Sequence, residues 1–201
     1  ICDAPLLITT SPGLAERLSS RHSMPIHIVL NGFDPEDFPS PGDSNASRSF
    51  DIVYCGGLAP GRNPAILFDA LDLMMARGER GLERLRVCFY GVPARLLSRF
   101  LEGHRCLPLV HDMGRIPHAE CVRVQQKATV LLLLSHREGA GPMPSKVFEY
   151  LGAGRPILSI PGDVRISDVV LGETGAGQVG QTPADVARIL RVWLDEWMHT
   201  G

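Results

Sequence analysis

The stretch GPMPSKVFEYLGAGRPIL, residues 141–158, joins a short helical pattern to a buried strand pattern. Proline and glycine residues flank the helical part on both sides, and the apolar run RPILSI (155–160) follows directly. A helix that leads straight into an apolar strand is typical of a βαβ unit. The helix begins with a cation, Lys146, and carries Glu149 one turn later. Because first turns of helices favour acidic side chains, this lysine needs an explanation beyond helix stability.

The same alternation of strand and helix patterns extends along the chain. Short β-branched or leucine-rich runs predict strands at residues 5–10, 26–30, 50–56, 85–91, 107–111, 129–134, 155–160 and 176–179. Helical patterns lie between them, at residues 12–21, 63–77, 93–102, 117–127, 145–152, 164–171 and 183–198. This order predicts an α/β fold, with a Rossmann-like parallel sheet and helices on both of its faces.

The segment PSPGDSNASRS, residues 39–49, is polar and rich in proline, glycine and serine. Such a composition has almost nothing to bury and predicts a linker between two packed bodies. We therefore expect residues 1–38 to be the remnant of a preceding domain and residues 50–201 to form a complete Rossmann-like domain. The chain begins at Ile1 inside an apolar pattern, so we expect it to be part of a longer polypeptide whose N-terminal part is missing.

The composition argues against several classes of partner. The chain has 20 Lys+Arg against 22 Asp+Glu, a net charge of -2, which provides no basic field for nucleic acid. Its longest apolar run, VLLLL (130–134), is too short to span a bilayer, and no signal peptide precedes the first strand. The five cysteines are odd in number and form no C-x-x-C pair, so we expect reduced thiols in a cytoplasmic protein.

Several catalytic and metal-binding motifs are absent from the sequence. It contains no Walker A, H-E-x-x-H, G-x-S-x-G or D-x-D sequence, and the seven histidines show no metal-cluster spacing, so we expect neither a metal nor a cofactor. Residues 175–180 fit G-x-G-x-x-G, but no helix opens on them until about Pro183. A dinucleotide fingerprint must follow a strand and begin a helix, so these glycines are interpreted as turn residues around an edge strand.

The loops after the predicted strands are the candidate binding site, because ligands of open parallel sheets bind at the carboxyl ends of the strands. Arg62 and Lys146 each lie near the start of a helix after such a loop, and two converging cations suit a diphosphate. Glu149 lies on the same helix face as Lys146 and could accept hydrogen bonds from a ribose diol. Simpler explanations are solvated cations and a Lys146–Glu149 ion pair within the helix.

Three stretches, in this order, resemble the GT-B glycosyltransferases, glycosyl transferases group 1 of the family-4-like type. They are LITTSPGLAERL…IHIVLNGFDPEDF, GGLAPGRNPAILFDAL and PSKVFEYLGAGRPIL, and the likeness covers essentially the whole chain. The resemblance implies an acceptor domain first, of which residues 1–38 would be the remnant, and a nucleotide-sugar domain second. It further implies a nucleotide-sugar donor as substrate, a glycan, lipid-linked or small-molecule acceptor, and retention of anomeric configuration.

The resemblance also assigns roles to individual residues. Glu149 corresponds to the glutamate that holds the nucleotide ribose, and Arg62 to the basic residue that holds the diphosphate, where Lys146 would also stabilise the leaving group. The backbone at residues 114–116 would contact the base. The full set of implied donor-binding residues beyond the two cations is Gly56, Gly57, Gly114, Arg115, Ile116, Gly141, Ser145 and Glu149.

The chain departs from the family pattern at two of these positions. Many members carry an arginine where this chain has Gly57 and a second glutamate where it has Gly141, with Glu138 as a candidate substitute for the glutamate. These departures leave open a nucleotide-binding module that has lost catalysis. A second alternative, a sugar-nucleotide epimerase or phosphorylase, shares the same two-domain architecture.

For the whole protein we expect a role in polysaccharide biosynthesis, in the cytoplasm, with any peripheral membrane contact made by the missing part. The chain as it stands is expected to bind donor nucleotide but to transfer nothing.

Overall fold

The computed structural model of the chain describes residues 4–38, 48–58, 61–135, 144–163 and 167–200. Within these ranges the elements form two parallel sheets. The first sheet has two strands, β1 (Leu7–Thr9) and β2 (Ile26–Ile28), joined by helix α1 (Pro12–Ser19). Ser11 caps α1 by accepting a hydrogen bond from the Leu14 amide, so this helix begins where the sequence pattern predicts.

The second sheet has six strands in the order β5-β4-β3-β6-β7-β8, and every neighbouring pair is parallel. Its strands are β3 (Phe50–Cys55), β4 (Leu85–Tyr90), β5 (Val110–Asp112), β6 (Val130–Leu134), β7 (Ile157–Ile160) and β8 (Gly177–Val179). The helices that connect and flank them are α2 (Ala65–Ala76), α3 (Ala94–Leu101), α4 (His118–Lys127), α5 (Lys146–Ala153), α6 (Ser167–Thr174) and α7 (Pro183–Thr200). The predicted Rossmann-like sheet is therefore confirmed.

Both faces of the six-stranded sheet are buried under helices, as a parallel sheet requires. Alternate residues of β3 point to opposite faces: Ile52 packs in the cluster formed with α2, α3 and α7, and Val53 in the cluster formed with α5 and α6. All five residues of β6 are buried, which explains why its sequence is a continuous apolar run. On the second face the hydroxyl of Tyr150 donates to the carbonyl of Leu132, a contact that fixes α5 against the middle of the sheet.

One predicted strand starts later than expected. The predicted strand 107–111 begins as a 3₁₀ turn (Leu107–Leu109), because Pro108 has no N–H to donate to a strand ladder, and β5 starts only at Val110. The predicted helix 164–171 overlaps α6, Ser167–Thr174, and its first three residues lie outside the described part of the chain. The Asp163 carboxylate accepts hydrogen bonds from the amides of Ser167 and Asp168 and so ties α6 to the end of β7.

The glycines of residues 175–180 lie in and around an edge strand, as the sequence predicts. Strand β8 pairs only with β7 at the sheet edge, and Gly175 has a φ of +64°, a left-handed turn conformation. Among the described residues the cysteines at 55, 88, 106 and 121 are all free thiols, as predicted. None of the described helices is long and apolar enough to cross a bilayer.

The segment before the predicted linker packs onto the second sheet's helix α5. Phe33 and Phe38 meet edge to face, with ring centroids 5.5 Å apart, and both rings lie close to Gly152, where a Cβ would come within 2.7 Å of Phe33. The short 3₁₀ turn Pro35–Asp37 between them is capped by the Asp34 carboxylate, which accepts from the Glu36 amide. Residues 39–47 of the predicted linker lie outside the described residues, so the division into domains remains a prediction.

Candidate functional site

The strand order reverses direction at β3: successive strands β4 and β5 are added on one side, and β6, β7 and β8 on the other. In a parallel sheet this topological switch leaves a crevice at the carboxyl ends of the two central strands. Two loops lead into it. The loop after β3 carries Gly56, Gly57 and Arg62, and the segment between β6 and α5 ends at Lys146, the first residue of that helix.

Lys146 lies directly against the backbone that ends β3. The backbone of Gly56 has a φ of +119°, and a Cβ at this position would lie 2.5 Å from the Lys146 Nζ and 2.9 Å from its Cε. The Gly56 amide donates to the Tyr90 carbonyl at 2.7 Å, so the backbone is anchored on β4. Only glycine provides both this conformation and the space that the ammonium occupies.

Arg62 is a neighbour of Tyr54, and its charge also acts on Lys146. The Tyr54 ring is fully buried, its hydroxyl donates to the Gly57 carbonyl at 2.9 Å, and the Lys146 Nζ lies 5.7 Å from its ring centroid. Burial raises the pKa of Tyr54, and the neighbouring Arg62 guanidinium opposes that increase. The Nε of Arg62 is buried and has no hydrogen-bond partner among the described residues. A buried N–H without a partner is costly, which favours an acceptor supplied from outside the chain.

The charges of Lys146, Arg62 and Glu149 act on one another in the described part of the crevice. Burial lowers the pKa of Lys146, and the nearby Arg62 charge lowers it further, whereas Glu149 opposes the shift. The structure therefore draws two cations together in a partly desolvated position, where their repulsion costs free energy. An anion bound between them would remove that cost.

Glu149 lies one turn beyond Lys146, as predicted, but does not form the simple intrahelical ion pair. No described cation lies within 4.0 Å of its carboxylate, although four other ion pairs are found in the described chain. The residue is partly buried, on the side of α5 that carries Lys146. Its carboxylate is therefore available to a ligand, as the ribose hypothesis requires.

The loops after β4 and β5 extend the same edge of the sheet. The Gly91 amide donates to the Gly114 carbonyl at 2.7 Å, and Gly91 itself approaches Gly56, so the three strand-ending glycines are contiguous. Gly114 has a φ of +68° and donates its amide to the Asp112 carboxylate. Arg115 is exposed and Ile116 is partly exposed. Residues 114–116 thus form an accessible wall beside the crevice, with the assigned base contact still a prediction.

The remaining predicted residues differ in how they are placed. No described atom lies within 4 Å of a Cβ added at Gly57. There is therefore open space at the position where many members of the family that the sequence resembles carry an arginine. Ser145 is exposed and precedes α5 without a side-chain capping bond. Gly141 and Glu138 lie outside the described residues.

Sequence reasoning did not connect Tyr54, Cys55 and Cys121 with the site, although all three are neighbours of Lys146. The hydrogen bond with Cys121 and burial raise the pKa of Cys55, so this thiol stays protonated and unreactive. Gln125 donates to the Cys121 sulfur at 3.3 Å. A hydroxyl two residues before a strand-ending glycine was the signal that could have identified Tyr54.

The lowered pKa of Lys146 leads to a prediction that can be tested without a ligand. At pH values between that lowered pKa and the usual 10.5, the lysine holds more protons in the unfolded chain than in the folded chain. Its contribution to the free energy of unfolding therefore rises with pH over this range. In the same range, Lys146 of the folded chain should react with an amine-acetylating reagent at lower pH than in denaturant. Mass spectrometry measures this directly, because the chain contains only two lysines and the exposed Lys127 serves as an internal control. Identical pH profiles of Lys146 in the folded and denatured chain would contradict the burial argument.

Comparison with known proteins gives matches at the level of structure alone. A scan against protein-family models gives no match, and a sequence comparison with curated proteins gives none either. Among solved structures, the Anabaena protein HepE in complex with UDP-glucose is similar with a TM-score of 0.70 and 16% identity, over 98% of this chain and 56% of that one. WaaG, a glycosyltransferase involved in lipopolysaccharide biosynthesis, has a TM-score of 0.72 and 14% identity, over 96% of this chain and 56% of its own. Sucrose-phosphate synthase from Thermosynechococcus elongatus has a TM-score of 0.72 and 16% identity, over 98% of this chain and 50% of its own.

These neighbours are GT-B glycosyltransferases, so the chain has a GT-B fold, as the sequence resemblance predicts. At these identities the likeness establishes the fold and leaves function to the site. The chain spans about half the length of the solved structures that it matches.

Proposed function

We propose that this chain is the donor-binding half of a glycosyltransferase and that a nucleotide sugar binds in the crevice between β3 and β6. One observation carries the proposal: the Lys146 ammonium occupies the space beside Gly56 at the end of β3, and the Arg62 charge acts on both Lys146 and Tyr54. Two neighbouring cations at the topological switch of a parallel sheet suit the charge of a diphosphate.

The proposed chemistry uses these cations on the leaving group. When a sugar leaves its nucleoside diphosphate, negative charge develops on the oxygen that bridged the sugar and the phosphate. Lys146, Arg62 and the N-terminal end of α5 would stabilise that charge without having to reorganise, because packing already holds the lysine in position. The chain's own side chains would thereby supply the positive charge that the departing diphosphate requires.

Several finer statements belong to the same proposal. The sugar would be transferred with retention to a glycan, lipid-linked or small-molecule acceptor, in the cytoplasm and within polysaccharide biosynthesis. The acceptor side of the cleft would come from a domain that precedes this one in a longer protein, consistent with the half-length match to the solved structures. Incubation of the chain with UDP- and GDP-sugars should then show binding but no transfer to added acceptors. Epimerisation of the donor sugar without an acceptor would instead favour the epimerase alternative.

Glu149 gives the sharpest test of how the nucleotide lies. In the wild type we expect a ribonucleoside diphosphate to bind more tightly than its 2′-deoxy analogue by about 1–3 kcal/mol, the range for hydrogen bonds to a charged group. Glu149→Gln should keep α5 intact, because glutamine and glutamate have similar helix propensities, but it should reduce this discrimination. Calorimetric titration with UDP and 2′-deoxy-UDP, and with the guanine pair, measures both quantities.

The matched control is Glu173→Gln, an exposed glutamate on α6. It should leave both affinities unchanged. If the wild type binds the ribose and deoxyribose forms equally, Glu149 does not hold the ribose, and the orientation proposed for the nucleotide is wrong even if the diphosphate site is right.

A further inference from the structure

A cluster of metal-binding side chains lies at the opposite end of the sheet from the crevice. Asp72 belongs to the second half of α2, and His104 and Cys106 lie in the connection between α3 and β5, at the amino-terminal edge of that strand. One ligand atom from each of these three side chains lies within 4.8 Å of the other two. The cluster combines carboxylate, imidazole and thiol, the three side-chain types that bind zinc.

Hydrogen bonds within the cluster already orient the Asp72 carboxylate. The Asp72 Oδ2 lies 2.9 Å from the His104 Nδ1, and its Oδ1 accepts from the Cys106 backbone amide at 2.7 Å. This amide bond fixes the carboxylate in the way that outer-sphere hydrogen bonds orient metal ligands. A fourth candidate ligand atom is near, since the Asp69 Oδ1 lies 4.0 Å from the same imidazole nitrogen. Asp69 precedes Asp72 by three residues on one helix and therefore presents its carboxylate on the same side.

A purely structural explanation accounts for only part of this arrangement. An Asp72–His104 ion pair would fasten the connection between α3 and β5 to α2, and it needs no sulfur. The Cys106 side chain is fully buried beside that pair. Its sulfur lies within 4.8 Å of the ligand atoms of both Asp72 and His104, so a cation among these side chains would have an oxygen, a nitrogen and a sulfur within reach.

We propose that Asp72, His104 and Cys106 bind a divalent transition-metal ion, with zinc the best match, and that the Asp69 carboxylate supplies the fourth ligand. Zinc bonds of about 2.0–2.3 Å in a tetrahedral site require ligand atoms a few tenths of an ångström farther apart than the present Asp72–His104 contact, a shift within side-chain freedom. Binding would release the Cys106 proton to solvent, since the thiolate is the ligand. The groove lined by Ser98, Glu102, His104 and Leu107 gives an ion access to the imidazole.

This site would be structural, because it lies at the amino ends of the strands and the proposed donor crevice at their carboxyl ends. It departs from the sequence prediction that no metal is bound. That prediction considered the spacing of histidines, whereas these ligands come from two separate elements and include a single histidine. The inference does not depend on the proposed glycosyltransferase function.

Cobalt substitution tests the proposal with a signal that only the thiolate produces. Titration of the reduced, metal-free chain with Co²⁺ should give thiolate-to-cobalt charge-transfer absorption at one equivalent, and Zn²⁺ should displace it. Cys106→Ala should abolish that absorption, and Cys88→Ala, which removes another buried thiol, should retain it. His104→Gln should lower Zn²⁺ affinity by about 100-fold or more, at or above the upper end of the range for outer-sphere changes.

Asp69→Asn is a variant that should fold normally, because the Asp69 carboxylate is about half exposed. It therefore tests metal binding even if the substitutions at buried positions cause a folding defect. It should keep the absorption and the fold but weaken Zn²⁺ binding by about 10-fold. Absence of thiolate–cobalt absorption in the wild type, or its survival in Cys106→Ala, would overturn the proposal. Equal Zn²⁺ affinity in the wild type, His104→Gln and Asp69→Asn would overturn it as well.

Discussion

The double variant Arg62→Gln/Lys146→Met should lose nearly all affinity for nucleoside diphosphates while remaining folded. Each charge-assisted hydrogen bond to a phosphate contributes about 1–3 kcal/mol, so removal of both is expected to lower affinity by roughly 30- to 10⁴-fold. Both side chains approach Tyr54, and interacting residues are often not additive. Calorimetric titration of the two single variants and the double variant with UDP and GDP measures the total loss and the coupling.

Arg188→Gln is the matched control, because this exposed arginine lies on α7, away from the crevice. It should bind as the wild type does. The thermal stability of the double variant should equal or slightly exceed that of the wild type, since the substitution removes two like charges that repel each other. Unchanged nucleotide affinity in both single variants would show that the cations do not hold the diphosphate.

Gly56→Ala should also remove nucleotide binding, but by displacing the Lys146 side chain rather than by replacing it. The new Cβ would come within 2.5 Å of the Lys146 Nζ, so the ammonium must leave its place, and the φ of +119° is one that side chains rarely adopt. We expect a loss of unfolding free energy of about 1–3 kcal/mol from backbone strain, together with a loss of affinity as large as that of Lys146→Met. Chemical denaturation and calorimetry separate the two effects.

Gly78→Ala provides the comparison for strain alone. Gly78 also has a positive φ, +64°, but no atom lies within 4 Å of an added Cβ. Alanine there should cost stability without changing nucleotide affinity. If Gly56→Ala and Gly78→Ala bind nucleotide equally well, the contact between Gly56 and Lys146 has no functional role.

The helices and strands of the fold could be predicted from local patterns in the sequence. Alternating apolar runs and helical periods identify all eight strands and seven helices of the described chain, because a doubly covered parallel sheet needs continuous apolar strands. The late start of β5 depends on a detail that periodicity does not contain, because Pro108 has no N–H for the strand ladder.

The candidate site was predictable to a smaller degree. Lys146 and Arg62 were identified because cations near helix N-termini after glycine-rich loops are unusual, and Glu149 because it lies one turn beyond Lys146 on the same helix face. The approach of Lys146 and Arg62 to Tyr54 depends on the strand order, which brings β3 next to β6 although β4 and β5 lie between them in the sequence. The packing of Phe33 and Phe38 on Gly152 joins residues still farther apart along the chain and left no local signal.

The most direct test of the donor site is chemical footprinting of the two lysines. The chain is acetylated under limiting conditions with and without saturating UDP, GDP, ADP or pyrophosphate, and modification of Lys146 and Lys127 is quantified by mass spectrometry. The account predicts that at least one nucleoside diphosphate protects Lys146 strongly, while Lys127 is modified to the same extent throughout. Equal modification of Lys146 in the presence and absence of every one of these ligands would contradict it.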